Sequence, residues 1–137
     1  MEGNYFISVS RDYHDTPEHL YSLIGDGTLF EFSGADDVSF DFSENGPFEF
    51  VFKDRGRIHG QILKIVTNSK IILEWNVDGF GRKPENGTKV WITILGSEKL
   101  ATVTIEHREI PTEESASAKK KSWTEILEDI ESQVVKV

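Results

Sequence analysis

Ser122-Trp123-Thr124-Glu125-Ile126-Leu127-Glu128-Asp129-Ile130-Glu131-Ser132-Gln133-Val134-Val135-Lys136-Val137 closes the chain, and its periodicity decides the fold. Trp123, Ile126, Leu127, Ile130 and Val134 follow one another at offsets of 3, 4, 7 and 11 residues, which is one apolar stripe on a 3.6-residue period. Glu125, Glu128, Asp129 and Glu131 occupy the opposite side. No other segment keeps this period over a comparable length. An amphipathic helix therefore ends a chain that otherwise reads as strands, and a sheet curled around that helix is the expected architecture.

Upstream, Pro111-Thr112-Glu113-Glu114 is a helix start signal with Thr112 as N-cap. The helix then begins near Glu113 and runs about 23 residues, roughly 34 Å at 1.5 Å per residue. Its first half, Glu113 to Ser122, carries small and charged residues, including Lys119-Lys120-Lys121. That half is expected to overhang an opening as a solvated face, and Trp123 to Val134 to anchor on the sheet.

The strands show a period of 2. Tyr5 to about Tyr13 is the first. Val38, Phe40 and Phe42 then alternate with Ser39 and Asp41, and beyond the Glu44-Asn45-Gly46-Pro47 turn so do Phe48, Phe50 and Phe52. Ile58 to Val66, Lys70 to Val77, Thr88 to Leu95 and Leu100 to Glu109 complete seven strands, with Asp78 to Gly87 read as a loop. Short turns between them imply antiparallel pairing. Thr16-Pro17-Glu18 starts a short helix that Leu20, Leu23 and Ile24 bury and Gly25 stops. A second short helical turn is expected over Gly27 to Phe32. The fold class is α+β: a curved, seven-stranded antiparallel sheet, two short helices and one long C-terminal helix, in a single domain over 1–137.

Composition narrows the functions. With 137 residues, 37% of them hydrophobic, the chain can bury a core without staples. A net charge of −9 argues against a general basic field for nucleic acid or anionic membrane. The absence of cysteine excludes disulfides and thiolate chemistry, and fits a reducing compartment. Met1 to Ser10 lacks the basic and apolar regions of a signal peptide, so a cytoplasmic location is expected.

Chemistry-bearing motifs are sparse. No zinc-type His and Glu spacing, calcium loop, phosphate-binding loop or nucleophile elbow occurs, so neither metal nor cofactor is expected. His107 neighbours Glu106, but adjacent strand residues point to opposite faces and cannot form an acid–base pair. His107 reads as a buried or rim hydrogen-bonding group. The aromatics carry more information. Phe40, Phe42, Phe48, Phe50 and Phe52 form two alternating rows, which read as core beneath the helix, as pairing across sheet edges in a dimer, or as the wall of an apolar pocket. Trp75, Trp91, Trp123, Leu127 and His107 complete the candidate cavity set. Arg57, His59, Gln61 and Glu74 would orient a ligand if their strands turn them inward.

The order of elements resembles the helix-grip fold of the START-like superfamily. Within it, the chain is similar to the family named for the activator of the Hsp90 ATPase. Gly60-Gln61-Ile62-Leu63-Lys64-Ile65 with Lys70-Ile71-Ile72-Leu73-Glu74-Trp75 looks like that family's glycine-led strand and its partner ending in Trp. Gly87-Thr88-Lys89-Val90 and Ala101-Thr102-Val103-Thr104-Ile105-Glu106-His107 look like the two later strands, and Ser122-Trp123-Thr124-Glu125-Ile126-Leu127 like the opening of the terminal helix. Departures are Ser122 in place of a common Gly, and Phe30 and Phe32 in place of a Trp-containing pair. The resemblance implies a cavity for an apolar or amphipathic small molecule. It also implies two alternatives: contact with an Hsp90-type chaperone, and a polyketide cyclase-like enzyme, the last needing a paired His and carboxylate. A monomer or weak homodimer is expected.

Overall fold

The computed structural model describes residues 4–27 and 34–131. Its elements are β1 (Tyr5–Tyr13), α1 (Pro17–Gly25), β2 (Asp37–Phe40), β3 (Pro47–Phe52), β4 (Gly56–Val66), β5 (Lys70–Gly79), β6 (Glu85–Gly96), β7 (Ala101–Ile110) and α2 (Glu113–Ile130). The strands form one sheet in the order β1-β7-β6-β5-β4-β3-β2, with every neighbouring pair antiparallel. β1 and β2 are the two edges, so the connection through α1 crosses from one edge of the sheet to the other. This is the helix-grip α+β arrangement. The second short helix expected over Gly27 to Phe32 lies, beyond Gly27, outside the described residues, as does Val134.

Both start signals act as the sequence implies. Thr16 Oγ1 accepts from the His19 N–H and Thr112 Oγ1 from the Ser115 N–H, each at 3.1 Å, satisfying donors that a helix N-terminus leaves unpaired. Gly25 ends α1 where a Cβ would sit 2.6 Å from the Phe42 ring. Phe42 lies beyond the last residue of β2 and fastens that end of α1, with Tyr21 edge-on to it at 5.4 Å.

Strand alternation sorts the side chains onto two faces. Phe48, Phe50 and Phe52 of β3, Ile71, Leu73 and Trp75 of β5, Val90, Ile92 and Ile94 of β6, and Val103, Ile105 and His107 of β7 are all buried on the face toward α2. Cross-strand register brings Phe40 opposite Phe48 and Gly60 opposite Trp75. Gly60 is required by close approach: a Cβ there would lie 1.9 Å from the Glu74 carbonyl oxygen.

α2 leans on the β1 and β7 side of the sheet. Tyr13 Oη donates to the Leu127 carbonyl at 2.5 Å, and Arg11 pairs with Glu131 outside it. Trp123, Ile126, Leu127 and Ile130 are buried there; each large apolar side chain so placed contributes about 1.5–3 kcal/mol. Because the helix is held toward one side, its other flank faces β3, β4 and β5 across a gap.

One boundary and one surface differ from expectation. The loop read over Asp78 to Gly87 shrinks to 80–84, because Val77 pairs with Glu85 and Asn76 Oδ1 accepts from the Gly87 N–H at 2.7 Å. The first half of α2 does overhang a cleft, through Ala118, Lys119 and Ser122, but its face is not solvated throughout: Ser115 and Ala116 are buried, and Lys119 is tied to the start of β6.

Candidate functional site

The gap is a cleft of about 280 Å³. Phe50 and Phe52 of β3, Ile58 of β4, and Trp75 and Val77 of β5 form its sheet wall, all on the inward face by strand alternation. Ala118, Lys119, Ser122, Trp123, Glu125 and Ile126 form the helix wall. Phe80, Arg82 and Lys83 from the 80–84 loop, with Glu85, close one end. That loop reverses sharply through three consecutive left-handed residues, Gly79 (φ 92°), Phe80 (φ 59°) and Gly81 (φ 69°). The reversal folds Phe80 edge-on against Phe52 at 5.2 Å.

A hydrogen-bonded chain runs behind the aromatic floor. Trp123 Nε1–H donates to His107 Nδ1 at 3.1 Å, and His107 Nε2 meets Thr88 Oγ1 at 2.8 Å. Thr88 Oγ1 in turn donates to the Trp75 carbonyl at 2.7 Å. Indole is only a donor, so His107 Nδ1 must be the bare nitrogen and Nε2 must carry the proton. Burial, and after it the charge of Lys119, pushes the His107 pKa down to about 3, which keeps the ring in this neutral tautomer. Both ring nitrogens are spent. His107 is a strut that sets the Trp75 and Trp123 planes, whose centroids lie 5.0 Å apart, and it has no lone pair to offer a substrate.

The cleft's polar end is a closed triangle. Lys119 Nζ donates to Glu85 Oε1 at 2.7 Å and to Ser115 Oγ at 2.9 Å, while Ser115 Oγ donates to Glu85 Oε2 at 2.6 Å. The side chains of Lys119 and Glu85 are only 13% and 11% exposed. Burial alone would raise the Glu85 pKa, but the hydrogen bonds from Lys119 and Ser115 outweigh it and leave the carboxyl lowered. The pair joins the middle of α2 to the first residue of β6.

Of the residues expected around a cavity, Phe50, Phe52, Trp75 and Trp123 line the cleft. Phe48 is buried beside them, its ring tilted against Phe50 at 5.2 Å and Trp75 at 5.6 Å. Phe40 and Phe42 stack on each other at 5.8 Å, away from the cleft near α1. Leu127 is buried under α2, toward β1. Trp91 is a correction: Val90 and Ile92 take the inward positions of β6, so Trp91 is on the opposite face, with Arg108 at 4.3 Å and Lys70 at 5.5 Å from its ring. For Arg57, His59, Gln61 and Glu74 the inward register on which their role depended is not met. Ile58 and Ile62 of β4 and Leu73 and Trp75 of β5 point inward, and the four polar groups point out. There Arg57 pairs with Glu49 and Asp78, and His59 with Asp78 at 2.8 Å.

Sequence reasoning missed Ser115, Lys119 and Glu85. A signal existed: Ser115, Lys119, Trp123 and Leu127 are spaced by four and form one row of the helix. Among the described residues no group of three or more His, Asp or Glu side chains is placed to hold a metal ion, and no helix is long and apolar enough to cross a membrane.

Comparison with solved structures matches this geometry to several chains. Mll3558 from Rhizobium loti is 17% identical, with a TM-score of 0.78 over 98% of this chain and 99% of that one. MLL2253 from Mesorhizobium loti is 16% identical, with a TM-score of 0.81 over 93% and 95%. PFC0360w from Plasmodium falciparum, an HSP90 activator, is 22% identical, with a TM-score of 0.74 over 92% and 93%. At these identities the likeness establishes the fold. No curated protein matches the sequence. The family model described as activator of Hsp90 ATPase homolog 1-like protein matches residues 15–134, which take in α1, all of β2 to β7 and α2. The chain therefore belongs to the activator of Hsp90 ATPase homolog 1-like family.

Proposed function

We propose that this protein binds an apolar or amphipathic small molecule in the cleft between its sheet and α2. The observation that carries the reading is the cleft's construction. An aromatic wall (Phe50, Phe52, Trp75, Phe80, Trp123) meets a small set of charged groups at one end, the composition typical of small-molecule sites. Its volume, about 280 Å³, lies just below the roughly 300–1,000 Å³ of drug-sized sites, and suits one or two rings or a short acyl chain. His107 serves as support for the floor, so binding rather than acid–base conversion is the activity this arrangement favours.

A melting-temperature screen of small aromatic and short-chain compounds tests the reading, since a ligand that binds only the folded state raises the melting point by mass action. Val77→Phe should fill the cleft and remove any shift. If no compound shifts the wild type, or Val77→Phe responds equally, the reading is wrong.

Family membership and the Plasmodium falciparum HSP90 activator support a second reading, contact with an Hsp90-type chaperone. Stimulation of such a chaperone's ATPase by the purified protein supports it. Neither binding nor stimulation removes it.

A further inference from the structure

The charges around the cleft are not arranged as on the rest of the molecule. The chain carries a net charge of −9, yet the cleft lining holds Arg82, Lys83 and Lys119 against only Glu85 and Glu125. Glu85 is already spoken for: Lys119 takes one of its oxygens and Ser115 the other. Lys119 has three N–H donors and spends two, on Glu85 and Ser115, so one remains. Among the described residues, the Arg82 guanidinium and Lys83 ammonium make no hydrogen bond or ion pair, and Arg82 acts on Glu85 only through its charge. Glu125 on α2 makes no such bond or pair either, so the unspent polar capacity of the cleft is three cationic donor groups against one carboxylate, and on balance it is donor capacity.

The same groups are ordered by depth. Phe50, Trp75 and Trp123 are buried, Lys119 is nearly so, and Arg82 and Lys83 are exposed on the 80–84 loop at the mouth. A molecule that enters with its apolar end toward Trp75 and Trp123 leaves its other end among Arg82, Lys83 and Lys119. A planar carboxylate there can take two parallel N–H bonds from a guanidinium, whereas an ammonium group would meet three cations against the single free carboxylate of Glu125.

We infer that the ligand of this cleft is an amphipathic carboxylate, its apolar body against Trp75, Trp123 and Phe52 and its carboxylate held by Arg82, Lys83 and the third N–H of Lys119. The inference rests on the cleft being a small-molecule site and adds the ligand's charge and direction.

The test uses three probes of one shape: 2-naphthoate, 2-naphthylmethanol and 2-naphthylmethylamine, titrated into the full chain by calorimetry at pH 7. The expected order is carboxylate, then alcohol, then amine. A bond to a charged partner predicts at least about a tenfold preference for the carboxylate over the alcohol, shrinking as salt is raised. The double variant Arg82→Gln, Lys83→Gln changes two exposed loop side chains and should cut the preference to the part that Lys119 supplies, at least about threefold below the wild type. Equal binding of carboxylate and alcohol by the wild type, or a preference that the double variant leaves unchanged, overturns the inference. Binding of none of the three overturns both the inference and the reading on which it rests.

Discussion

Trp123 Nε1 lies 3.1 Å from His107 Nδ1, and this bond joins the terminal helix to the seventh strand at the floor of the cleft. It fixes the tautomer of His107, whose Nε2–H donates to Thr88 Oγ1, and the Thr88 hydroxyl in turn donates to the Trp75 carbonyl of β5. Four elements, α2, β7, β6 and β5, are thus held by one chain of donors with no proton to spare.

Trp123→Phe keeps most of the ring but removes the donor. His107 Nδ1 is then buried without a partner, at a cost of about 1–3 kcal/mol. Trp123→Ala adds an unfilled volume and should cost about 3–5 kcal/mol. Urea unfolding followed by circular dichroism measures both, and a Phe variant as stable as wild type would show that the bond contributes nothing.

The pH dependence has a defined sign. The His107 pKa is lowered from 6.5 to about 3 in the folded state, so between those values the unfolded chain binds the extra proton. Stability from the neutral ring is complete above pH 6.5 and is lost as the pH falls toward 3, by at most about 1.4 kcal/mol per unit. The lowered Glu85 carboxyl acts in the same direction but starts only below its ordinary 4.5. Unfolding free energies of wild type and His107→Gln, compared from pH 7 to 5, should converge as the pH falls. Parallel curves would place the histidine in contact with water.

The Lys119–Glu85 pair is nearly buried, so breaking one side leaves a charge without its partner. Glu85→Gln and Lys119→Met should each destabilise by about 1–3 kcal/mol, less than a fully buried pair because both side chains keep some exposure. The double variant should cost less than the two singles together, with a coupling of about 0.5–3 kcal/mol. Additive losses in thermal unfolding would mean that the two groups do not interact.

Gly60→Ala should be among the most damaging small changes in the sheet. The added methyl would lie 1.9 Å from the Glu74 carbonyl oxygen, so β4 and β5 must separate where Trp75 sits. Overpacking of this kind costs about 1–3 kcal/mol. A melting point unchanged from wild type would contradict the register.

The fold was legible in the sequence because it is written in periodicities. The row of Trp123, Ile126, Leu127 and Ile130, the alternation at Phe48, Phe50 and Phe52, and the caps at Thr16 and Thr112 each depend on near neighbours alone. The site was legible only in part. Phe50, Phe52, Trp75 and Trp123 are cleft residues because they are also core residues, and burial shows in a pattern. Trp91 was misplaced because its size suggested an interior, although parity along β6 puts it outward once Val90 and Ile92 are turned in. Lys119 and Glu85 are 34 residues apart and meet only when α2 lies across the start of β6. A lysine in a basic run looks solvated until its partner is known. The shortened 80–84 loop was hidden likewise, because its glycines signal a turn without stating where the ladder ends.

The central claim is that the cleft beside Trp75 and Trp123 receives a small molecule. The three indole N–H signals in a proton–nitrogen correlation spectrum report it directly, since Trp75 and Trp123 line the cleft and Trp91 is on the far face of the sheet. Titration with 2-naphthoate is predicted to move the Trp75 and Trp123 signals in a saturable way and to leave Trp91 in place. A spectrum in which neither of the two moves, or in which Trp91 alone does, would contradict the account.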